Sequence, residues 1–479
     1  MLSFNIKQKI KTIKKRAYKL YNKLFIYLPV DLLIFLRNSI NNATISFNAK
    51  PSPDKHMIIF RHDGIGDYVL FRNFIEVFKK SPKFVDYKIT LLGNSAWKDL
   101  AEFLDKDFID EFIWIDKRKF AKDFFYRYKK FKEITSVKYE ILIHPFSRDF
   151  FNADNDLAFL IKADKKIGSI IISKFIKPYK KKILEKIYTE LIPDIKGVWF
   201  EFYKNKNFFE RILAEKINID RPFINLPSIN LPSSAPELFE NPVPYAAFFI
   251  GASVKHRKWP AKNFAEVARY LKTKYGHRIV LCGGKNELDD IAEFKKHFQA
   301  SFIDTVSKIS LVELPYVIKN ASLVISNETM APHIAMALAN ATETADNYIN
   351  PTNSNTSNTT TSQNTPIAPT VQTASAATNT IVAPITVSKP AAVVIKPAVI
   401  VISTGEASYG HFVPYPKEIG SNYTAVFHPY IEKNLEEYID ITTTFGRGYD
   451  DRFNISEITV ESVLNKVDKI NYSIVLRHD

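Results

Sequence analysis

Two stretches of the chain, residues 57–170 and 245–402, share one rhythm: short apolar runs separated by longer segments whose apolar positions recur with helical spacing. The short runs predict strands buried on both faces, and the longer segments predict amphipathic helices. In the first stretch MIIF at 57–60, KITLL at 88–92, EFIWI at 111–115 and YEILI at 139–143 predict strands, and KKIG at 165–168 reads as a strand end. Helices are expected between them over 68–80, 96–104, 120–136 and 156–161. In the second stretch YAAFFI at 245–250, RIVLC at 278–282, SLVI at 322–325 and AVIVI at 398–402 predict strands. Helices are expected there over 261–275, 310–319 and 334–338, with a last amphipathic one over 456–467. Strand–helix alternation builds a parallel sheet with helices on both faces, so the expected class is α/β with two such units.

Punctuation along the chain sets the expected boundaries. Residues 221–244 carry Pro222, Pro227, Pro232, Pro236, Pro242 and Pro244, a density that neither a helix nor a central strand accepts. The reading is a basic N-terminal segment over 1–50, a first domain over 51–225, a Pro-rich linker over 226–244 and a second domain over 245–479. Within the second domain, 340–392 is rich in Asn, Thr, Ser, Ala and Pro, with little charge and few aromatic residues. Such a tract cannot bury enough apolar area to offset chain entropy, so it reads as a disordered insert in a βα connection. Its Asn-x-Ser/Thr triplets matter only in a secretory compartment.

Charge narrows the partners. The chain has 479 residues, too many for one core, and a net charge of +15 from 66 Lys and Arg against 51 Asp and Glu. That balance points to nucleic acid, an anionic membrane or a phosphorylated substrate. Much of the excess sits in the first 40 residues, where the cations between Lys7 and Lys23 are interleaved with Ile6, Ile10, Ile13, Tyr18 and Leu20. The apolar patch that follows, 25–36, is interrupted by Pro29 and Asp31, which fits neither a signal peptide nor a spanning helix. A helix lying on an anionic membrane face and a solvated basic helix packed on the protein explain this arm equally well. No nucleic-acid-binding motif accompanies the charge, so nucleic acid is not an expected partner. The single cysteine, Cys282, lies in an apolar run and reads as a small buried hydrophobe in a reducing compartment.

The candidate chemistry gathers where predicted strands hand over to helices. After the first strand comes Arg61-His62-Asp63-Gly64-Ile65-Gly66-Asp67. Gly64 and Gly66 are expected to allow a tight turn that brings main-chain N–H groups near a ligand. Asp67 then stands at a helix start, on the sheet edge where open α/β folds bind ligands, and reads either as a helix cap or as a general base. Arg148, in the loop after the 139–143 strand, either holds an anionic substrate group or pairs with Asp149. In the second unit Gly251-Ala252-Ser253 leads through Lys255, His256, Arg257 and Lys258 to Trp259-Pro260 and a helix. Small residues, cations and a helix N-terminus suit a diphosphate, although a solvated basic loop would look the same. Gly283-Gly284 with Glu287 closes the next strand, and Ser326-Asn327-Glu328-Thr329-Met330-Ala331-Pro332-His333 brings a carboxylate, a hydroxyl and exposed N–H groups to another strand–helix junction. His333 alone reads as a packed helix residue. No cluster has metal-ligand spacing, so no cofactor is required, and a loosely bound Mg²⁺ is compatible.

Taken in order, RHDGIGDYVL, KKIG, GASVKHRKWPAKNFAEVARYL, IVLCGG and SLVELPYVIKNASLVISNETMAPHIAMAL resemble family 9 glycosyltransferases, the group containing the ADP-heptose:lipopolysaccharide heptosyltransferases. The resemblance covers most of 57–340 and implies the GT-B architecture, two Rossmann-like domains facing a cleft, with donor bound in the second and acceptor mainly in the first. It also implies an inverting transfer from a nucleotide-diphosphate sugar, with ADP-heptose the first candidate, to a lipopolysaccharide core or related glycan. Asp67 matches the family's proposed base. On this reading Ser253, Arg257, Lys258, Thr329 and His333 face the donor diphosphate. Glu328, Glu287, Gly283 and Gly284 face its sugar or nucleoside, and Gly64, Gly66 and Arg148 face the acceptor. The chain departs from the family pattern in having Glu328-Thr329-Met330 for Asp-Ser/Thr-Gly and Arg257 where Lys is common. A cytoplasmic protein at the inner face of a bacterial membrane would follow. Two other readings stand beside it: a non-catalytic nucleotide- or glycan-binding relative, and a Rossmann oxidoreductase. The latter is disfavoured because Val69 occupies the third glycine's place in Gly-x-Gly-x-x-Gly.

Overall fold

Six residues of uninterrupted burial, His56–Arg61, form the strand around which the first sheet is laid down. The computed structural model describes residues 49–146, 153–170, 178–195, 200–228, 235–239, 243–341, 396–405, 409–434 and 453–470. The basic arm over 1–48, Arg148 and the insert over 342–392 fall outside them.

Among the described residues the first sheet has seven strands: β1 (Lys50–Pro51), β2 (His56–Arg61), β3 (Lys88–Asn94), β4 (Glu111–Ile115), β5 (Val137–His144), β6 (Lys162–Ile170) and β7 (Glu190–Pro193). Its order is β4-β3-β2-β5-β6-β7, with the two-residue β1 paired to the start of β5, and every pairing is parallel. The second sheet has six among those residues: β8 (Tyr245–Phe249), β9 (Arg278–Leu281), β10 (Ile303–Asp304), β11 (Leu323–Asn327), β12 (Ala398–Ser403) and β13 (Tyr423–Phe427). Its order, β10-β9-β8-β11-β12-β13, repeats the same winding, again all parallel. In both sheets the order reverses beside the first long strand. The crevices therefore open at the C-terminal ends of β2 and β5 in one unit and of β8 and β11 in the other.

Alternate side chains of each strand feed different cores, as a pleat requires. Ile58, Phe60, Leu92 and Leu142 pack on one face of the first sheet, and Ala246, Phe248, Ile279 and Ile325 on the corresponding face of the second. The opposite faces share one apolar cluster. Met57, Ile59 and Leu91 from the first sheet and Ala247, Val324 and Val401 from the second join it, with the helices Glu201–Leu213 and Ala331–Ala339 contributing between them. Glu201–Leu213 fastens the halves further. Its Lys204 Nζ lies 3.0 Å from His411 Nδ1, and the Glu201 N–H donates to the His411 carbonyl at 3.0 Å.

Several expected elements change on inspection. The helix expected over 68–80 starts at Ile65 and is two pieces, Ile65–Val69 and Asn73–Lys80. The one expected over 120–136 is also two, Lys117–Lys122 and Phe124–Ile134. Each of these begins at an aspartate whose side chain accepts from the helix's first N–H groups, Asp116 from Arg118 and Lys119, Asp123 from Tyr126. KKIG lies inside β6 rather than at a strand end.

Candidate active site

Both crevices are built at the sites that the strand order dictates. At the end of β2 the chain enters the Ile65–Val69 helix, and Asp67 Oδ2 accepts the Gly64 N–H at 3.0 Å. Asp67 is thus a cap, yet its side chain remains 21% exposed at the C-terminal end of β2. The turn from β2 into the helix is short, but neither Gly64 nor Gly66 has a positive φ, so it does not draw on glycine's left-handed freedom. Gly66 is required for a different reason: a Cβ there would lie 2.6 Å from His333 Cδ2 of the other half. The short Ile65–Val69 helix and the start of the Ala331–Ala339 helix touch through this glycine.

Substituting Gly66 tests that contact. A side chain within a helix normally gains up to about 1 kcal/mol over glycine. Crowding a packed junction costs roughly 1–3 kcal/mol. Gly66→Val is therefore expected to lower stability in urea titrations, and a variant as stable as the parent would remove the contact from the description.

Beneath Asp67 lies a charge network. Arg61 is fully buried; its Nε lies 2.6 Å from Asp63 Oδ2, one terminal nitrogen 3.3 Å from Glu201 Oε1 and 3.9 Å from Asp67 Oδ1, and the other donates to Asn205 Oδ1 at 3.0 Å. Its guanidinium also faces the rings of Phe71 and Phe146. Burial opposes the Arg61 cation, but Asp63, Glu201 and Asp67 outweigh it and push its pKa above the ordinary value. Three carboxylates around one cation leave negative charge in excess. Burial, then the neighbouring Asp63, pushes the Asp67 carboxyl up to about 7, against the pull of Arg61. Burial raises Asp63 as well. A carboxylate poised near neutrality at a crevice edge is suited to take a proton.

The second crevice is organised by Asn327, at the end of β11. Its Nδ2 donates to the Ile250 carbonyl at 2.7 Å and its Oδ1 accepts the Trp259 N–H at 3.0 Å, so one side chain spans the loop that carries Ser253 and the cations. Ser253 is exposed in that loop. Arg257 pairs with Glu328 Oε1 at 3.0 Å, and Ser403 Oγ donates to Glu328 Oε2 at 2.6 Å. Glu328 is only 7% exposed, whereas the Arg257 side chain is 24% exposed. Thr329 Oγ1 lies 3.0 Å from Ser326 Oγ.

Other expected site residues are placed differently. Lys258 is held 2.5 Å from Asp290. Glu287 caps its own turn by accepting the Gly284 N–H at 2.7 Å, and its stem lies so close to Gly251 that a Cβ there would sit 2.1 Å from Glu287 Cγ. Gly283 flanks the same stem. His333 is buried, its Nδ1 2.9 Å from the Tyr415 hydroxyl, and burial lowers its pKa to about 4. Burial thus favours the uncharged ring, which still offers one N–H as a donor.

Reading the sequence missed Arg61, Glu201, Asn205, Asn327 and Ser403. A charged Arg-x-Asp at the end of an apolar strand was the available signal for the first. Among the described residues, no group of three or more His, Cys, Asp or Glu side chains is placed to hold a metal ion. No described helix is long and apolar enough to cross a membrane.

Residues 211–402 match the model of glycosyltransferase family 9 (heptosyltransferase). No curated protein sequence matches the chain. Among solved structures, a family 9 glycosyl transferase from Veillonella parvula is similar with a TM-score of 0.56 at 16% identity, covering 90% of this chain and 100% of that one. E. coli heptosyltransferase WaaC with ADP gives 0.54 at 14% identity, covering 86% and 99%. E. coli ADP-heptose lps heptosyltransferase II gives 0.52 at 12% identity, covering 88% and 99%. These likenesses show the fold: GT-B, two facing α/β units.

Proposed function

Starting from a chain that carries a family 9 glycosyltransferase domain and is a glycosyltransferase, we propose that it moves a sugar, with inversion, from a nucleotide-diphosphate donor to a glycan acceptor. The observation that carries this reading is the meeting of the two crevices at Gly66 and His333. That contact joins the short helix carrying Asp67 in one unit to the helix that follows Glu328, the partner of Arg257, in the other.

Asp67 takes the proton from the acceptor hydroxyl as that oxygen attacks the anomeric carbon from the face opposite the leaving group. Arg257, the more exposed partner of its pair, exchanges Glu328 for the departing diphosphate, with Ser253, Thr329 and the first N–H groups of the Ala331–Ala339 helix beside it. Glu328, held by Ser403, turns its freed oxygen to a donor hydroxyl. Neutral His333 packs the junction and excludes water. Mg²⁺ enters only as a loosely bound companion of the diphosphate. WaaC, which shares the fold, was solved with ADP and with ADP-2-deoxy-2-fluoro heptose, which supports ADP-heptose as the first donor to try. A lipopolysaccharide core or related glycan at the cytoplasmic face of a bacterial membrane is the matching acceptor.

The test is thermal denaturation with ADP-heptose, ADP, UDP, GDP and NADH. A ligand bound only by the folded state raises the melting temperature, by about 2.7 kcal/mol of added stability at a hundred times its Kd. ADP species are expected to stabilise the protein. Stabilisation by UDP or GDP instead changes the donor but keeps the reaction class, and stabilisation by NADH alone overturns the reading.

A further inference from the structure

On the far side of β4 the chain forms a helix pair whose outer surface the sugar-transfer reading does not use. Its inner side is complete: Phe120, Phe131 and Ile134 are buried in the core beneath the first sheet. The outer side of Phe124–Ile134 presents Phe125, Tyr128, Lys129 and Lys132, spaced as one helical face. Phe125 is 81% exposed and Tyr128 37%, and neither belongs to that core. The preceding turn-and-a-half, Lys117–Lys122, adds Lys117, Arg118, Lys119 and Lys122, all exposed. Against these six exposed cations stand two exposed carboxylates, Asp123 and Glu133. Both are engaged locally: Asp123 caps its helix, and Glu133 pairs with Lys130 at 2.9 Å.

We infer that this face docks the protein on an anionic lipid bilayer. Its cations meet the headgroups, and the rings of Phe125 and Tyr128 enter the headgroup–acyl boundary. Charge alone would suit any polyanion; the exposed rings of Phe125 and Tyr128 among the cations favour lipid, because an anionic bilayer sets an apolar medium directly beneath its charged headgroups. Single-stranded nucleic acid would ask instead for a groove tracking its backbone, whereas these side chains lie along the outer face of one helix. The position also fits. The Phe120 ring lies 6.3 Å from the His62 ring of the β2 loop, and the Lys117 charge is felt at Asp63. A docked bilayer would therefore lie beside the first crevice. The inference stands on this surface alone and holds whatever sugar or acceptor is found.

The experiment is sedimentation of the full-length protein with vesicles of phosphatidylcholine alone and of phosphatidylcholine doped with phosphatidylglycerol. Binding is expected only with the anionic lipid and is expected to weaken with salt. The basic arm over 1–48 is present in every variant, so differences between variants report the helix pair. Each cation near such a surface is worth about fivefold in partitioning, so Arg118→Gln, Lys122→Gln, Lys129→Gln and Lys132→Gln together should lower it by about 10²–10³-fold at an unchanged melting temperature. Phe125→Ser should weaken binding without altering its salt dependence, and Phe125→Trp should strengthen it, since indole favours the interface. Parental binding by both the four-site variant and Phe125→Ser overturns the inference. So does the finding that the same substitutions abolish binding to single-stranded RNA while leaving the vesicles untouched.

Discussion

Asp67→Asn is expected to reduce sugar transfer by about 10²–10⁴-fold, the range that a positioned general base contributes. The substitution is informative because it separates the two roles that Asp67 combines. Asparagine can still accept the Gly64 N–H that Asp67 Oδ2 now receives at 3.0 Å, so a residue that only caps the helix would be replaced with little effect on turnover. Stability should move the other way. The carboxyl is raised from 3.8 to about 7 in the folded protein, so between those values the folded state holds a proton that the unfolded state has lost. Stability supplied by that proton is complete below about 3.8 and disappears as pH rises through 7. Asparagine carries no such proton, so the variant should gain on the parent as pH climbs through this window. In the parent, kcat/KM should rise with pH along a limb centred near 7, where the base ionises. Urea titrations at several pH values together with a pH–rate profile check all three expectations. A variant with parental turnover would remove Asp67 from the chemistry.

What the sequence made legible follows from which forces are local. Parallel strands covered on both faces must be apolar along their whole length, and Glu111–Ile115 and the helix Ala261–Tyr275 have the bounds expected of them. The break at 70–72 was hidden because Tyr68, Phe71, Phe74, Ile75 and Phe78 all belong to one core, so the apolar period runs on through it. The break at Asp123 was readable as an N-cap and was overlooked in favour of that period. β7 and the helices Pro178–Ile187 and Glu201–Leu213 were not anticipated, the last being rich in charge although most of its residues are buried. The strand-to-helix junctions that carry Asp67, Arg257 and Glu328 were legible because small and polar residues mark them. Their partners were not. Arg61 and Glu201 are 140 positions apart, and Ser403 reaches Glu328 across 75 positions that include the low-complexity tract. Nothing in local spacing encodes such pairs. The same holds for Gly66, whose need of a bare Cα is created by a histidine from the other unit.

Arg61→Met is expected to destabilise the protein by about 3–5 kcal/mol, the cost of removing one member from a buried ionic cluster. Phe71, Phe146 and the surrounding core would accept the thioether, so packing is not what fails. The loss comes from Glu201, which is fully buried, and from Asp63, 2.6 Å from Arg61 Nε, both left without the cation that offsets their burial. Adding Glu201→Gln to Arg61→Met removes one of those stranded charges and should restore part of the stability, a coupling that a double-mutant cycle isolates. The two single substitutions act on Asp67 with opposite signs. Loss of Arg61 removes a cation that lowers the Asp67 pKa, so the alkaline shift of the rate profile should carry its limb above 7. Loss of the Glu201 charge removes a repulsion, so Glu201→Gln should move the limb below 7. A purely structural cluster would change stability and leave both limbs in place. If Arg61→Met unfolds at the parent's urea midpoint, without the loss that removing one partner of a buried ion pair brings, the cluster does not hold the two units' shared helix to the base. If stability falls while the two limbs move in opposite directions, Glu201–Leu213 is the element through which the junction between the sheets sets the proton affinity of Asp67.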